Sequence, residues 1–170
     1  MKVRQLLLPL IAGCAVVGFA APANATPPDR FSFSGSDSEP GFIQCDGFAI
    51  DLEGTMTTHG TVFFDNGGEV IRVIARSRVT ETFTNSVTGK TLVNHGVFQD
   101  TFTRIGDTDE FRHVVVGYDF KATAPGQGLV LADIGRKVYA ADGEHFVFQA
   151  GQHDMPQGAA VEPLFCAALS

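Results

Sequence analysis

The sequence predicts an all-β fold, a single antiparallel barrel of about eight strands. Three observations carry that expectation. From Phe48 onward apolar and polar residues alternate by twos, which is the side-chain period of a strand. Clusters of Gly, Asn, Asp and Pro recur between the apolar stretches, at the spacing expected of sandwiches and barrels. No window offers three helical turns of periodic apolar residues free of a Gly or Thr/Val interruption. A length of 170 residues suits one domain. The 15 Phe and 44% hydrophobic residues supply a packed core and exclude a disordered chain.

The first 25 residues read as an address. Met1-Lys2-Val3-Arg4-Gln5 is a short basic start, and Leu6 to Ala21 is almost continuously apolar. Ala23-Asn24-Ala25 is the small-x-small pattern of a signal peptidase site. The apolar run is shorter than the roughly 20 residues of a bilayer span. The expectation is a secretory signal peptide cut after Ala25 and a secreted, extracellular protein. Ile11-Ala12-Gly13-Cys14 also resembles a lipobox, which would anchor the protein at the cell surface through a lipidated Cys14. The apolar Ala15–Phe19 after that Cys argues for free secretion. Loss of Lys2 and Arg4 with the leader moves the formal charge from −7 to −9. That acidity disfavours nucleic acid, which is bound through clustered Lys and Arg. The basic run Arg72, Arg76 and Arg78 lies along one expected strand.

The mature chain divides into an N-terminal extension, 26–44, and a barrel domain, 45–170. In the extension Phe31-Ser32-Phe33-Ser34 could add an edge strand, and 35–44 reads as loop. Phe48, Ile50 and Leu52 alternate with Ala49, Asp51 and Glu53 in a first strand. Thr61–Phe64 then runs into Asp65-Asn66-Gly67-Gly68, a hairpin turn because Asn and Gly accept positive φ. Ile71, Val73, Ala75 and Val79 face away from the three arginines in a long strand, and Asn85–Lys90 turns the chain.

Phe98 and Phe102 alternate with Gln99, Thr101 and Thr103, and Gly106–Glu110 is a polar tip. Val114, Val116, Tyr118 and Phe120 give the return strand one apolar side. Pro125–Gly128 turns into Leu129–Ala132, and Ala141–Glu144 separates Lys137–Ala140 from His145–Ala150. Residues 151–163 read as loop. Closing such a sheet into a barrel would hide its edges. Cys45 and Cys166 form a pair, and in an oxidising compartment they are expected to be a structural disulfide.

Several landmarks carry a resemblance: Cys45-x-Gly47-Phe48, Thr88-Gly89-Lys90, Pro125-Gly126-x-Gly128-Leu129-Val130, Asp133-x-Gly135-Arg136, Ala150-Gly151-x-His153-Asp154 and Phe165-Cys166. Over residues 40–168 the chain resembles a group of small, uncharacterised secreted proteins of actinobacteria, a resemblance that implies no activity. In strand order and in the glycine-rich turn before Leu129 it also resembles the eight-stranded allene oxide cyclase and dirigent barrels. The lipocalin Gly-x-Trp is absent, since the chain has no Trp.

Four polar residues share strand faces with apolar ones and are the ligand-binding candidates for a barrel lumen. Asp100 and Arg104 lie on the face of Phe98 and Phe102, Glu81 on that of Val79 and Phe83, and Tyr118 on that of Val116 and Phe120. An inward carboxylate among aromatics could act as acid or base, and Arg104 could hold an anion. Alternatively Asp100 and Arg104 pair with each other, or lie at the wet rim.

The five His (His59, His95, His113, His145, His153) show no zinc-ligand spacing. His153-Asp154 reads as a loop-folding pair and Asp107–Glu110 as a solvated tip. Nucleophile elbows and phosphate loops are lacking, so neither a cofactor nor catalytic residues can be assigned. Three functions remain: a non-enzymatic binding module for a small apolar or amphipathic ligand, an extracellular surface-interaction protein, and a cyclase or isomerase. The first is favoured.

Overall fold

The computed structural model describes residues 26–143, 145–155 and 161–170. The expected signal peptide, with Cys14, lies outside them. The fold is all-β. Strands β1 (Asp29–Cys45), β2 (Phe48–Phe64), β3 (Val70–Asn85), β4 (Thr91–Arg104), β5 (Phe111–Ala124), β6 (Gly128–Tyr139) and β7 (Phe146–His153) are followed by a helix, α1 (Glu162–Leu169). The strands form one seven-stranded sheet in the order β1 to β7. Each pairs antiparallel with its neighbours in sequence, as short turns require.

Three expectations are corrected. The sheet is open and seven-stranded among the described residues, because β1 and β7 are edges and do not pair. The expected eight-stranded closed barrel is therefore not formed. Stretches that read as separate strands are continuous: Phe48–Glu53 joins Thr61–Phe64, and Leu129–Ala132 joins Lys137–Tyr139. The glycines inside them mark close approach rather than breaks. At Gly60, for instance, the Phe31 ring occupies the space of a side chain, 2.1 Å from where a Cβ would stand.

The third correction concerns residues 35–44, which belong to strand β1 rather than to a loop, continuing the expected edge strand at Phe31–Ser34. Strand β1 pairs with β2 from Asp29 to Cys45, with one register shift between Glu39 and Ile43. Pro40 falls in that shift. On an edge strand its missing N–H costs no ladder bond. Gly41 N donates to Asp51 Oδ1 at 2.8 Å across the irregularity.

Alternation leaves one face of the sheet to bury. Ile43, Ile50, Leu52, Phe83, Leu92, Phe120, Ala122 and Leu131 gather from β1 to β6 around Phe165 and Leu169 of α1. The Phe165 ring lies 4.7 Å from that of Phe83 and 5.6 Å from that of Phe120. Strands so far apart in the order can share one small helix only if the sheet curls about it, so this face is concave. The helix went unread because its eight residues are too few for a periodic signal. Pro163 in its first turn and Glu162 beside it suit a helix N-terminus.

The chain is tied at this end of the sheet. Cys45 and Cys166 form a disulfide, with Cα atoms 5.6 Å apart. Asn85, 2% exposed, donates from Nδ2 to the Leu169 carbonyl at 2.9 Å. Its Oδ1 accepts from the N–H groups of Val87 and Thr88. One side chain thus joins the β3–β4 turn to the helix.

Candidate functional site

Beyond the helix the same concave face turns polar. Its floor is bare where Gly117, Gly135 and Gly151 lie opposite one another on β5, β6 and β7. Their φ values are 133°, 140° and 127°, a region L side chains avoid. A Cβ on Gly135 would stand 2.0 Å from the Ala150 carbonyl oxygen, and one on Gly151 2.0 Å from that of Ile134. The strands are creased along this row.

The crease brings charges together. Asp133 and Lys137 flank Gly135 on the same face, and in a straight strand their Cα atoms would be about 13 Å apart. Here Lys137 Nζ donates to Asp133 Oδ2 at 2.6 Å and to Asp119 Oδ2 at 2.5 Å. The other oxygen of Asp133 meets His153 Nδ1 in a short hydrogen bond. A carboxylate only accepts, so that nitrogen carries the hydrogen. The Lys137 and Asp133 side chains are 6% and 9% exposed.

A second pair lies beside the first. His113 Nε2 donates to Asp100 Oδ1 at 2.8 Å. Its ring is held between Phe102, at 4.2 Å and 9°, and Tyr139, at 4.6 Å and 14°. Tyr139 rests in turn against the Phe146 ring, 4.7 Å away and edge-on. Asp100, His113, Asp119, Asp133 and Tyr139 line a cleft of about 440 Å³ with Glu81, Phe98, Val115, Phe120 and Met155. A smaller hollow of about 290 Å³, against β1 and β2, shares Val79 and Glu81 with it.

Two groups have displaced pKa values. Burial pushes the Lys137 ammonium down, but hydrogen bonds and attraction from Asp119 and Asp133 outweigh it and hold the pKa above its ordinary 10.5. Burial pushes the Tyr139 phenol above 10.0, aided by the three aspartates and opposed by Lys137. In both cases the folded state holds its proton more tightly than the unfolded chain does. The stability that Lys137 contributes is complete below about pH 10.5 and is lost as pH rises through the folded value. Tyr139 acts in the same direction, since above pH 10 the unfolded chain ionises first. Denaturant titrations between about pH 9 and pH 11.5 should therefore show falling stability. Lys137→Met should flatten the fall, and parallel curves would contradict the assignment.

The sequence candidates divide. Glu81 lies on the concave face and accepts from Asn94 Nδ2 at 2.9 Å, and Asp100 pairs with His113. Arg104 does not pair with Asp100. It sits at the far end of β4 and reaches Asp65 at 3.7 Å and Glu69 at 3.5 Å in the β2–β3 turn. Tyr118 stands on the outer face. The pairing of β5 shifts between Tyr118 and Phe120, so the extra residue, Asp119, breaks the alternation that joined them.

His153 reaches Asp133 on β6 rather than its neighbour. Asp154 instead accepts from Ala132 N and Gln152 Nε2, both at 2.9 Å. His113, Asp119, Asp133, Lys137 and Tyr139 were not among the sequence candidates, and His153, which the sequence offers as a catalytic-looking or loop-folding pair with Asp154, pairs across strands with Asp133 instead. The signal that could have found three of them is Asp133-x-Gly135-x-Lys137-x-Tyr139, polar residues at period two around a glycine. Among the described residues no three His, Cys, Asp or Glu side chains are arranged to hold a metal ion, and the carboxylates converge on an ammonium. Nor do these residues include a helix long and apolar enough to cross a membrane. No family model, no curated protein and no solved structure matches the chain.

Proposed function

We propose that the protein is a secreted binding module whose concave cleft takes a small amphipathic molecule. The observation that carries the reading is one cleft in which Phe98, Val115, Phe120 and Met155 stand beside the Asp100–His113 pair and the Lys137-bound carboxylates of Asp119 and Asp133. Ligand sites combine an apolar wall with a few convergent polar groups in this way. Carboxylates outnumber cations here, since Glu81, Asp100, Asp119 and Asp133 line the cleft and the ammonium of Lys137 is held behind Asp119 and Asp133. The polar end of the ligand is therefore a donor, a hydroxyl or an amine. Secretion rests on the leader pattern of residues 1–25 and agrees with the disulfide. Native mass spectrometry of protein from its producing cell tests the reading. The expected result is a bound mass that is lost on denaturation, and a bare mass in both states would count against it.

One observation favours a second reading, a proton-transferring isomerase or cyclase. Asp100 holds His113 by one ring nitrogen, while Phe102 and Tyr139 fix the ring plane. A general base requires such positioning. In that case the bound molecule should take up deuterium from heavy water on the wild type and not on His113→Gln. Equal exchange on both would remove His113 from the reading.

A further inference from the structure

The register separates charge by face. Glu81, Asp100, Asp119 and Asp133 lie on the concave side, whereas Arg30, Arg72, Arg76, Arg78, Arg112 and Arg136 lie on the convex side and are exposed. Those six are half of the 12 basic residues in the chain. Among the described residues none of them has a carboxylate within ion-pair distance; Arg104 is the arginine that does. The acids that register places on the convex face, Asp51 and Glu53 of β2, lie toward the disulfide end.

Neutral partners hold two of the guanidinium groups. Arg76 Nε donates to Gln99 Oε1 at 3.0 Å, and Arg136 stands over the Phe148 ring at 5.8 Å. Their positions are set while their charge is left uncompensated. Strand spacing gives the grid. Arg76 and Arg78 are about 7 Å apart, Arg72 and Arg112 about 10 Å across Thr103, and Arg76 and Arg136 about 14 Å across Gln99 and Val116.

We propose that this convex face docks a flexible linear polyphosphate chain, at a site separate from the concave cleft. Guanidinium groups match phosphate oxygens in bidentate fashion. Arginines fanned from β1 to β6 around a curled sheet cannot all meet a flat bilayer, whereas a flexible chain can follow them. The negative total charge conceals the site because, among the described residues, the acids other than Asp51 and Glu53 lie on the concave face or in the turns and ends of the strands.

The test is binding of inorganic polyphosphate to the intact protein at several salt concentrations. The expected result is saturable binding whose log Kd rises with log salt by about 0.7 per phosphate engaged. Arg76→Gln should weaken it several-fold and lower that slope by about one contact. Lys90→Gln, which removes the same charge at the β3–β4 turn, should leave both unchanged. The substituted side chains are exposed, and a shared thermal midpoint would show that both variants fold. Three results would overturn the proposal: no polyphosphate binding at low salt, equal weakening by the two variants, or binding to phosphatidylglycerol vesicles with none to polyphosphate.

Discussion

Gly135→Ala is expected to lower the unfolding free energy by about 3 kcal/mol or more, through the conformational penalty at positive φ together with the clash. The φ of 140° is one that alanine resists. The new methyl would lie 2.0 Å from the Ala150 carbonyl oxygen, and that oxygen belongs to the paired strand and cannot turn aside. Relief would have to come from flattening the crease, which would also part Lys137 from Asp133. A suitable control is Gly54→Ala in β2. Its Cβ would meet the flexible Glu81 Cγ at 3.3 Å with no positive φ, and the cost should stay under about 1 kcal/mol. Urea unfolding of both variants measures the difference. Similar midpoints would mean that the crease is not strained against a side chain.

Reduction of Cys45–Cys166, or replacement of both by serine, is expected to cost about 4–5 kcal/mol on the chain-entropy argument. The bridge spans 121 residues, which is most of the folded chain, so opening it frees a large loop in the unfolded state. It also fixes α1, whose Phe165 and Leu169 are 3% and 1% exposed against the sheet. Unfolding followed by far-ultraviolet circular dichroism, with and without reductant, reads the effect. A loss below about 1 kcal/mol would show that packing and the Asn85 hydrogen bonds hold the helix unaided.

The strands and turns were legible in the sequence because they depend on local pattern. The turns at Asp65–Gly68, Asn85–Lys90 and Pro125–Gly128 carry their own backbone chemistry, and the alternation around Phe98 and Phe102 survives intact. Three features were not legible, each for a different reason. A glycine inside a strand hides the strand's continuity until its partner strand is known, as in β2 and β6. The shift in β5 exchanges the faces of Tyr118 and Phe120 by a single residue, and no local pattern announces it. Most of the candidate site depends on pairing across β4 to β7. Asp100 and His113 are 13 residues apart and Asp133 and His153 are 20 apart. Such charges meet only once the register is set. Glu81 and Asp100 were readable because each lies beside a Phe on the same strand face.

The most direct test of the account is titration with 2-naphthylmethylamine, a small aromatic amine, against its neutral isostere 2-methylnaphthalene. The chain has no Trp and two Tyr, so naphthyl emission can be followed against a low background. Saturable binding of the amine is expected, at least about ten-fold tighter than that of the hydrocarbon, which corresponds to about 1.4 kcal/mol for the charged end. Asp100→Asn should narrow that gap and Arg76→Gln should not, since it lies on the opposite face. Equal affinities for the two probes, or no saturable binding of either, would contradict the claim that the concave cleft is a site for an amphipathic ligand.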